Sequence, residues 1–286
     1  MPKTPADNDA RRTYWSKQMG LATEFMRAVL DYPVNECGEG FADLRKAVAE
    51  ASVKVVFSDT KLVGAIDRIY WLRESLVWDL VAVAREMNQR NWVLKIEDGY
   101  RSVDIQQQLG FKENVFDVIL ERVVWECGGK VPSAELMFRR LSGLVAASAK
   151  VGTHISGTAV DISVLSGTEA ASQAELDRGG PYLELSELTP MASPFVSEKA
   201  ARNRRKITAA LATHGFVAYP YEFWHYSKGD VYDQYLNDPG TPARFGPVHF
   251  DQATGRIEPV EQPESPLHSL EAMQERIERA VAGRNG

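Results

Sequence analysis

Two potential metal ligands, His154 and Asp161, stand on either side of a glycine turn in residues 150–165. The residues after the turn alternate in polarity, which predicts a strand over 158–165 with valine and isoleucine on one face and Asp161 on the other. A carboxylate in so apolar a strand is costly to bury unless a cation or several hydrogen bonds compensate it. This stretch alone fits both a metal site and a surface turn with an ordinary aspartate.

A second histidine and a carboxylate lie in the aromatic run 219–227, as Glu222 and His225. With His154 and Asp161, His225 brings the ligand count to three, which is typical of a catalytic zinc site that keeps one position for water. Glu222 and His225 are three positions apart, so both can face one site only if the strand ends or bends there, which Pro220 favours. Glu222 is then the natural general base, taking a proton from metal-bound water while zinc polarises a carbonyl.

The pattern His-x-x-Gly-x-Ala-x-Asp, followed by Glu-x-Trp-His, resembles the zinc D-alanyl-D-alanine peptidases, which include VanX-type dipeptidases and VanY-type carboxypeptidases. The resemblance implies one zinc ion per chain, held by His154, Asp161 and His225, with Glu222 as the base. Residues 98–101 resemble the family's Gly-Tyr-Arg stretch, and Arg101 would bind an oxyanion or a carboxylate through its fork of donors. The implied fold is α+β, a small mainly antiparallel sheet flanked by helices, of the kind shared with hedgehog-like zinc domains.

The resemblance predicts hydrolysis of the D-alanyl-D-alanine dipeptide, because residues 190–195 and the Glu222 motif are most similar to the dipeptidases. Arg101 with Ser102 and Gln106 instead resembles the carboxypeptidases, so a D,D- or L,D-carboxypeptidase acting on a longer cell-wall peptide is an alternative. A zinc-containing binding module without catalysis is a second alternative.

Val196 stands where the dipeptidases carry an aspartate for the substrate's ammonium, and a hydrophobic side chain cannot neutralise an amine. Either Glu198, Glu184 or Glu187 replaces it, or the substrate has no free amine there. A further departure is Gly152, where the family has a serine.

The chain has 286 residues and a net charge of −6, which argues against nucleic acid or an anionic membrane as the main partner. It has no apolar run long enough for a membrane span and no secretory signal pattern, so we expect a cytoplasmic protein. Cys37 and Cys127 are predicted to be free thiols. The expected partner is a small peptide that contains D-alanine, and a homo-oligomer is compatible with the sequence.

The predicted division is an N-terminal extension with a helix (1–40), a zinc peptidase domain (41–236) and a C-terminal wrap with an amphipathic helix (237–286). Within the domain we expect helices over 71–87, 103–125 and 133–149, and a strand over 92–96 that leads to Arg101. Residues 166–196 read as an active-site loop or lid. The helix from Ser197 to about Thr213 carries a basic cluster that reads as a solvated face, namely Arg202, Arg204, Arg205 and Lys206.

Overall fold

A computed structural model of the protein describes residues 5–167 and 174–284. The helices in these ranges are α1 (Pro5–Leu30), α2 (Leu44–Ala51), α3 (Glu74–Gln89), α4 (Val103–Gly110), α5 (Glu113–Glu126), α6 (Ala134–Ser142), α7 (Glu198–Ala212), α8 (Val231–Asn237) and α9 (Leu270–Arg284). The strands are β1 (Phe41–Asp43), β2 (Val55–Phe57), β3 (Trp71–Arg73), β4 (Trp92–Asp98), β5 (Ala159–Ser166), β6 (Ala174–Glu175), β7 (Val217–Ala218), β8 (His225–Ser227), β9 (Val248–Phe250) and β10 (Ile257–Pro259).

The central sheet has the strand order β2, β4, β5, β8, β7, and β6 also pairs with β5. The β2–β4 pair is parallel, whereas β4–β5, β5–β8 and β7–β8 are antiparallel. Two small antiparallel ladders, β1–β3 and β9–β10, lie outside it. The architecture is therefore mixed α/β with a mainly antiparallel central sheet, and the likeness to hedgehog-like domains remains a prediction.

One face of the central sheet is covered by α2, α3 and α7, which form a hydrophobic core with the alternate residues Val160, Ile162 and Val164 of β5. All three side chains are fully buried. Asp161 points to the opposite face because successive strand residues alternate. The predicted two-faced strand is thus confirmed.

A second hydrophobic core packs α1 and α9 against α4, α5 and α6, together with the turn that carries Phe223 and Trp224. Trp15 and Met19 of α1 and Met273 of α9 are completely buried in it. Both terminal segments therefore share a core with the middle of the chain. The three-part division at residues 40 and 236 stays a prediction about how the chain is organised.

Several predicted helices are shorter in the structure than the apolar periodicity suggested. Residues 71–73, expected to begin a helix over 71–87, instead form β3, which pairs with β1. The helix starts at Glu74. The helix expected over 133–149 has the predicted Ser133 cap but ends at Ser142. Gly143 follows, and a Cβ there would lie 2.9 Å from Ala22 Cβ of α1, so tight packing of α1 coincides with the end of α6.

No helix in the described ranges combines the length and hydropathy that crossing a bilayer requires. Cys37 and Cys127 are both free, as predicted.

Candidate metal centre

Strand register brings Asp161 and His225 side by side at one end of the sheet. Asp161 of β5 pairs with His225 of β8 on one side and with Asp98 of β4 on the other. The β4–β5 register shifts between Ile96 and Asp98, so β4 contains one extra residue, Glu97. This bulge turns Asp98 from the face that Ile96 shares with the first core to the face that carries Asp161.

His154 reaches the same place from the turn that precedes β5. The turn depends on Gly157, which has φ +69° and lies so close to Phe41 that a Cβ would be 2.1 Å from the ring. His154 Nδ1 lies 2.6 Å from the carbonyl oxygen of Gly99, at the end of β4. The predicted glycine turn therefore fixes His154 against two neighbouring segments.

The structure brings His154, Asp161 and His225 together in one buried group. Asp161 Oδ1 lies 3.2 Å from His154 Nε2 and 3.1 Å from His225 Nδ1. One nitrogen or oxygen atom from each residue lies within 4.8 Å of the others. Two imidazole nitrogens and a carboxylate oxygen are a donor set typical of zinc.

The polar atoms of His225 and Asp161 that do not face the other ligands also have hydrogen-bond partners. His225 Nε2 lies 2.9 Å from Thr153 Oγ1, and Asp161 Oδ2 accepts from Arg101 Nη2 at 3.0 Å and from the Tyr182 hydroxyl at 2.9 Å. Such contacts orient metal ligands and fix the imidazole tautomer. Sequence reasoning did not find Thr153 or Tyr182 because only the folded loops bring them to the ligands.

The protonation states within this group fit a bound cation. His154 Nδ1 must carry its proton, since the Gly99 carbonyl can only accept. Burial, and then Arg101, lower the pKa of His154, which favours a neutral ring whose Nε2 presents a lone pair to Asp161. Burial alone would raise the pKa of Asp161, but the two histidines and Arg101 hold it well below its usual value. Two acceptors facing each other at 3.2 Å repel unless a cation lies between them.

Glu222 lies in the turn between β7 and β8, three residues before His225, and lines the cavity beside the three-residue group. The turn at Pro220 confirms the bend that the sequence required there. Burial, and then the charge of Asp161, raise the pKa of Glu222 well above its usual value, although Arg101 opposes the shift. A raised pKa makes this carboxyl a better proton acceptor than an ordinary glutamate.

Arg101 also lines the cavity, directly after β4. Its Nε donates to Asp98 Oδ2 at 2.7 Å, Nη1 donates to Gln106 Oε1 at 3.2 Å, and Nη2 donates to Asp161. Each terminal nitrogen carries a second N–H beyond these contacts. The guanidinium is thus held rigidly with donors that can serve a substrate.

Two buried arginines hold the segment that brings Tyr182 to Asp161. Arg204 donates to the carbonyl oxygens of Arg178, Leu188 and Pro190, and Arg178 donates to that of Ile162. Arg204 is only 2% exposed, so the prediction that it belongs to a solvated face is wrong. The reason is that α7 turns this side chain toward the loop, whereas Arg202 faces solvent.

None of the three glutamates considered as replacements for an ammonium-binding aspartate lines the cavity in the described part of the chain. Glu187 is paired with Arg11 at 2.8 Å, Glu184 packs against Gly180, and the Glu198 side chain is 95% exposed. Val196 packs against Gly179. None of these three glutamates is therefore placed to replace the missing aspartate at the cavity.

We expect Tyr182→Phe to weaken zinc binding by about tenfold, because it removes one of the two donors to Asp161 Oδ2. Competition with a chromogenic chelator measures the change. Tyr226→Phe is the matched control, since the Tyr226 hydroxyl lies 2.9 Å from Thr208 Oγ1 and away from the ligands. Equal affinities in the two variants would contradict a role for Tyr182 in holding Asp161.

A profile of a peptidase family described as D-ala-D-ala dipeptidase matches residues 60–240 of the chain. This span includes Arg101, His154, Asp161, Glu222 and His225. No curated protein matches the chain.

Proposed function

Because the chain belongs to the peptidase family described as D-ala-D-ala dipeptidase, we propose that it is a zinc-dependent hydrolase that cleaves the bond between two D-alanine residues. The observation that carries the proposal is the buried group of His154, Asp161 and His225, in a cavity that Glu222 and Arg101 also line. A metallopeptidase needs metal ligands, a base and an oxyanion donor in one cavity, and this cavity contains a candidate for each.

In this proposal His154, Asp161 and His225 would hold the zinc ion through their converging nitrogen and oxygen atoms. When bound there, zinc supplies Lewis acidity, which makes water a better nucleophile and polarises the scissile carbonyl. The contacts from Gly99 and Thr153 keep both imidazole rings oriented for this task.

Glu222 acts as the general base and then as the general acid. It accepts a proton from the attacking water and returns it to the amine of the departing D-alanine. Burial supports the second half of the role, because it raises the pKa of Glu222 and so favours the protonated carboxyl that returns the proton.

Arg101 stabilises the negative charge that develops on the carbonyl oxygen. Its three contacts with Asp98, Gln106 and Asp161 hold the guanidinium in place before the substrate arrives. Preorganised donors of this kind lower the barrier because they need no reorientation during the reaction.

The dipeptide D-alanyl-D-alanine is the substrate that the family description and the VanX-like segments favour. A carboxypeptidase acting on a longer cell-wall peptide is the second candidate. It is favoured by one observation, which is that Glu184, Glu187 and Glu198 all lie away from the cavity, so that none of these three carboxylates is placed to bind a free amine there.

Release of D-alanine by the zinc-loaded protein from D-Ala-D-Ala and from its N-acetylated form tests both candidates. Faster hydrolysis of the free dipeptide supports the dipeptidase, and faster hydrolysis of the acetylated form supports the carboxypeptidase. If a fully zinc-loaded protein releases no D-alanine from either peptide, the proposed hydrolysis is wrong and the alternative of a binding module gains support.

A further inference from the structure

Two basic side chains, Arg68 and Lys112, line the same cavity as Glu222 and Arg101. Arg68 lies before β3, and Lys112 lies between α4 and α5. Neither has a role in the mechanism above. Arg68 keeps one buried nitrogen without a hydrogen-bond partner, and Lys112 donates to a neutral carbonyl oxygen, which leaves both side chains able to bind an anion.

The Arg68 side chain is largely buried, and its hydrogen-bonding capacity is only partly satisfied. Its side chain is 6% exposed, and two of its nitrogens donate to Thr60, Nε to the carbonyl oxygen at 2.9 Å and Nη2 to Oγ1 at 3.1 Å. The third nitrogen, Nη1, is buried without a hydrogen-bond partner, and Asp98 Oδ2 lies 3.7 Å from it. A buried guanidinium N–H without an acceptor is unfavourable, so a group that accepts from it would be stabilised.

The charges around Arg68 leave this side of the cavity positive. Asp98 is shared, because Arg101 Nε already donates to the same oxygen at 2.7 Å. Lys112 Nζ donates to a neutral acceptor, the carbonyl oxygen of Leu62 at 2.5 Å. Burial, and then the neighbouring Arg68, lower the pKa of Lys112. In the described part of the chain, the carboxylates that line the cavity are Asp161 and Glu222, both already used in the mechanism.

Tyr182 contacts both Arg68 and the metal centre. The Arg68 guanidinium lies 5.8 Å from the centre of the Tyr182 ring, and the hydroxyl of that ring donates to Asp161. One aromatic side chain thus separates Arg68 from a metal ligand. In a D-alanyl-D-alanine substrate, a single residue separates the scissile carbonyl from the terminal carboxylate.

We propose that Arg68, assisted by Lys112, binds the terminal carboxylate of the substrate and so selects peptides that end next to the scissile bond. The proposal rests on the proposed function, because that function sets the scissile carbonyl at the metal centre. Arg68 accordingly determines specificity, whereas Arg101 serves the carbonyl that reacts. The subsite takes a carboxylate and rejects the neutral amide of the same peptide.

Equilibrium binding to the zinc-loaded Glu222→Gln protein, which retains the cavity and is not expected to hydrolyse the peptide, tests the subsite. The two probes are whichever of D-Ala-D-Ala and N-acetyl-D-Ala-D-Ala the intact protein hydrolyses faster, and the C-terminal amide of that peptide, both measured by calorimetry. We expect the acid to bind at least about tenfold more tightly than the amide. Adding Arg68→Gln should weaken binding of the acid by roughly tenfold to hundredfold and abolish the preference over the amide.

Three further variants distinguish loss of the subsite from general loss of structure. Arg45→Gln, at an exposed arginine that packs over Phe57 and Tyr70, is the matched control and should keep the full preference. Arg68→Lys should retain part of it, because the charge remains but the fork is lost. Lys112→Gln should reduce the preference for the acid over the amide while leaving Arg68 in place. If Arg68→Gln does not fold, this variant tests the subsite instead.

An undiminished preference for the acid in a folded Arg68→Gln protein would overturn the proposal. So would equal binding of acid and amide, or binding of neither, by the Glu222→Gln parent. Hydrolysis is measured separately with Glu222 intact. A protein that prefers the acid but does not release D-alanine contradicts the proposed function alone, and one that releases D-alanine without that preference contradicts the subsite alone.

Discussion

Replacing Glu222 with glutamine should lower kcat for D-alanine release by about 10²–10⁴-fold while zinc content stays unchanged. Glutamine has nearly the same size but cannot accept the proton of the attacking water. Glu222 is buried in the cavity wall and is not among the three residues whose atoms converge as ligands. The variant therefore separates proton transfer from metal binding.

Zinc per chain and D-alanine release are measured on the same preparation. Glu184→Gln is the matched control, since Glu184 packs against Gly180 on the neighbouring loop, and it should retain activity. His154→Ala is the contrasting variant and should lose zinc together with activity, because it removes a ligand. Normal turnover in Glu222→Gln would remove the proposed base.

Arg204→Met should lower the free energy of unfolding by about 2–4 kcal/mol. The change removes the donor to four carbonyl oxygens, those of Arg178, Leu188, Pro190 and Met191. It also removes a guanidinium that lies 4.2 Å from the centre of the Phe223 ring. Part of this cost is recovered, because burial, and then Arg178, disfavour the charge and lower the pKa of Arg204 to about 10.

Denaturant unfolding of the two proteins measures the difference. Arg202→Met is the control on the same helix, because its side chain is 55% exposed and its ion pair with Glu198 is solvated. We expect that control to change stability by less than about 0.5 kcal/mol. Equal effects at the two positions would mean that the loop does not depend on Arg204.

The ligand group could be predicted from the sequence because local patterns determine most of it. Alternation in β5 predicted that Asp161 faces away from Val160 and Ile162, and the core shows that arrangement. The glycine before β5 and the proline before Glu222 predicted the two turns that the structure contains. The proximity of His154 and His225 depends on long-range contacts that local patterns do not predict. It was expected from the resemblance to the family motif.

Contacts that depend on the packing of distant segments could not be predicted in this way. Four basic residues of α7 look alike in the sequence, namely Arg202, Arg204, Arg205 and Lys206. Arg204 alone is buried, because the loop that contains Arg178 and Leu188 packs over it. Arg68 and Tyr182 carry no local signal either, because they meet Asp98 and Asp161 through tertiary folding. Helix ends were misplaced where strand pairing took precedence over periodicity, as at Trp71.

The extra residue in β4 has a consequence for how this protein tolerates length changes. A second residue inserted between Glu97 and Asp98 would shift Asp98 from Asp161 to Val160 in the register with β5 and rotate it into the hydrocarbon side of the sheet, away from Arg101 and Arg68. Both guanidinium groups would lose their shared counter-ion through a change that alters no side chain in contact with substrate. Homologous peptidases that keep this use of Asp98 should therefore vary in the composition of that strand more freely than they gain residues between Ile96 and Asp98.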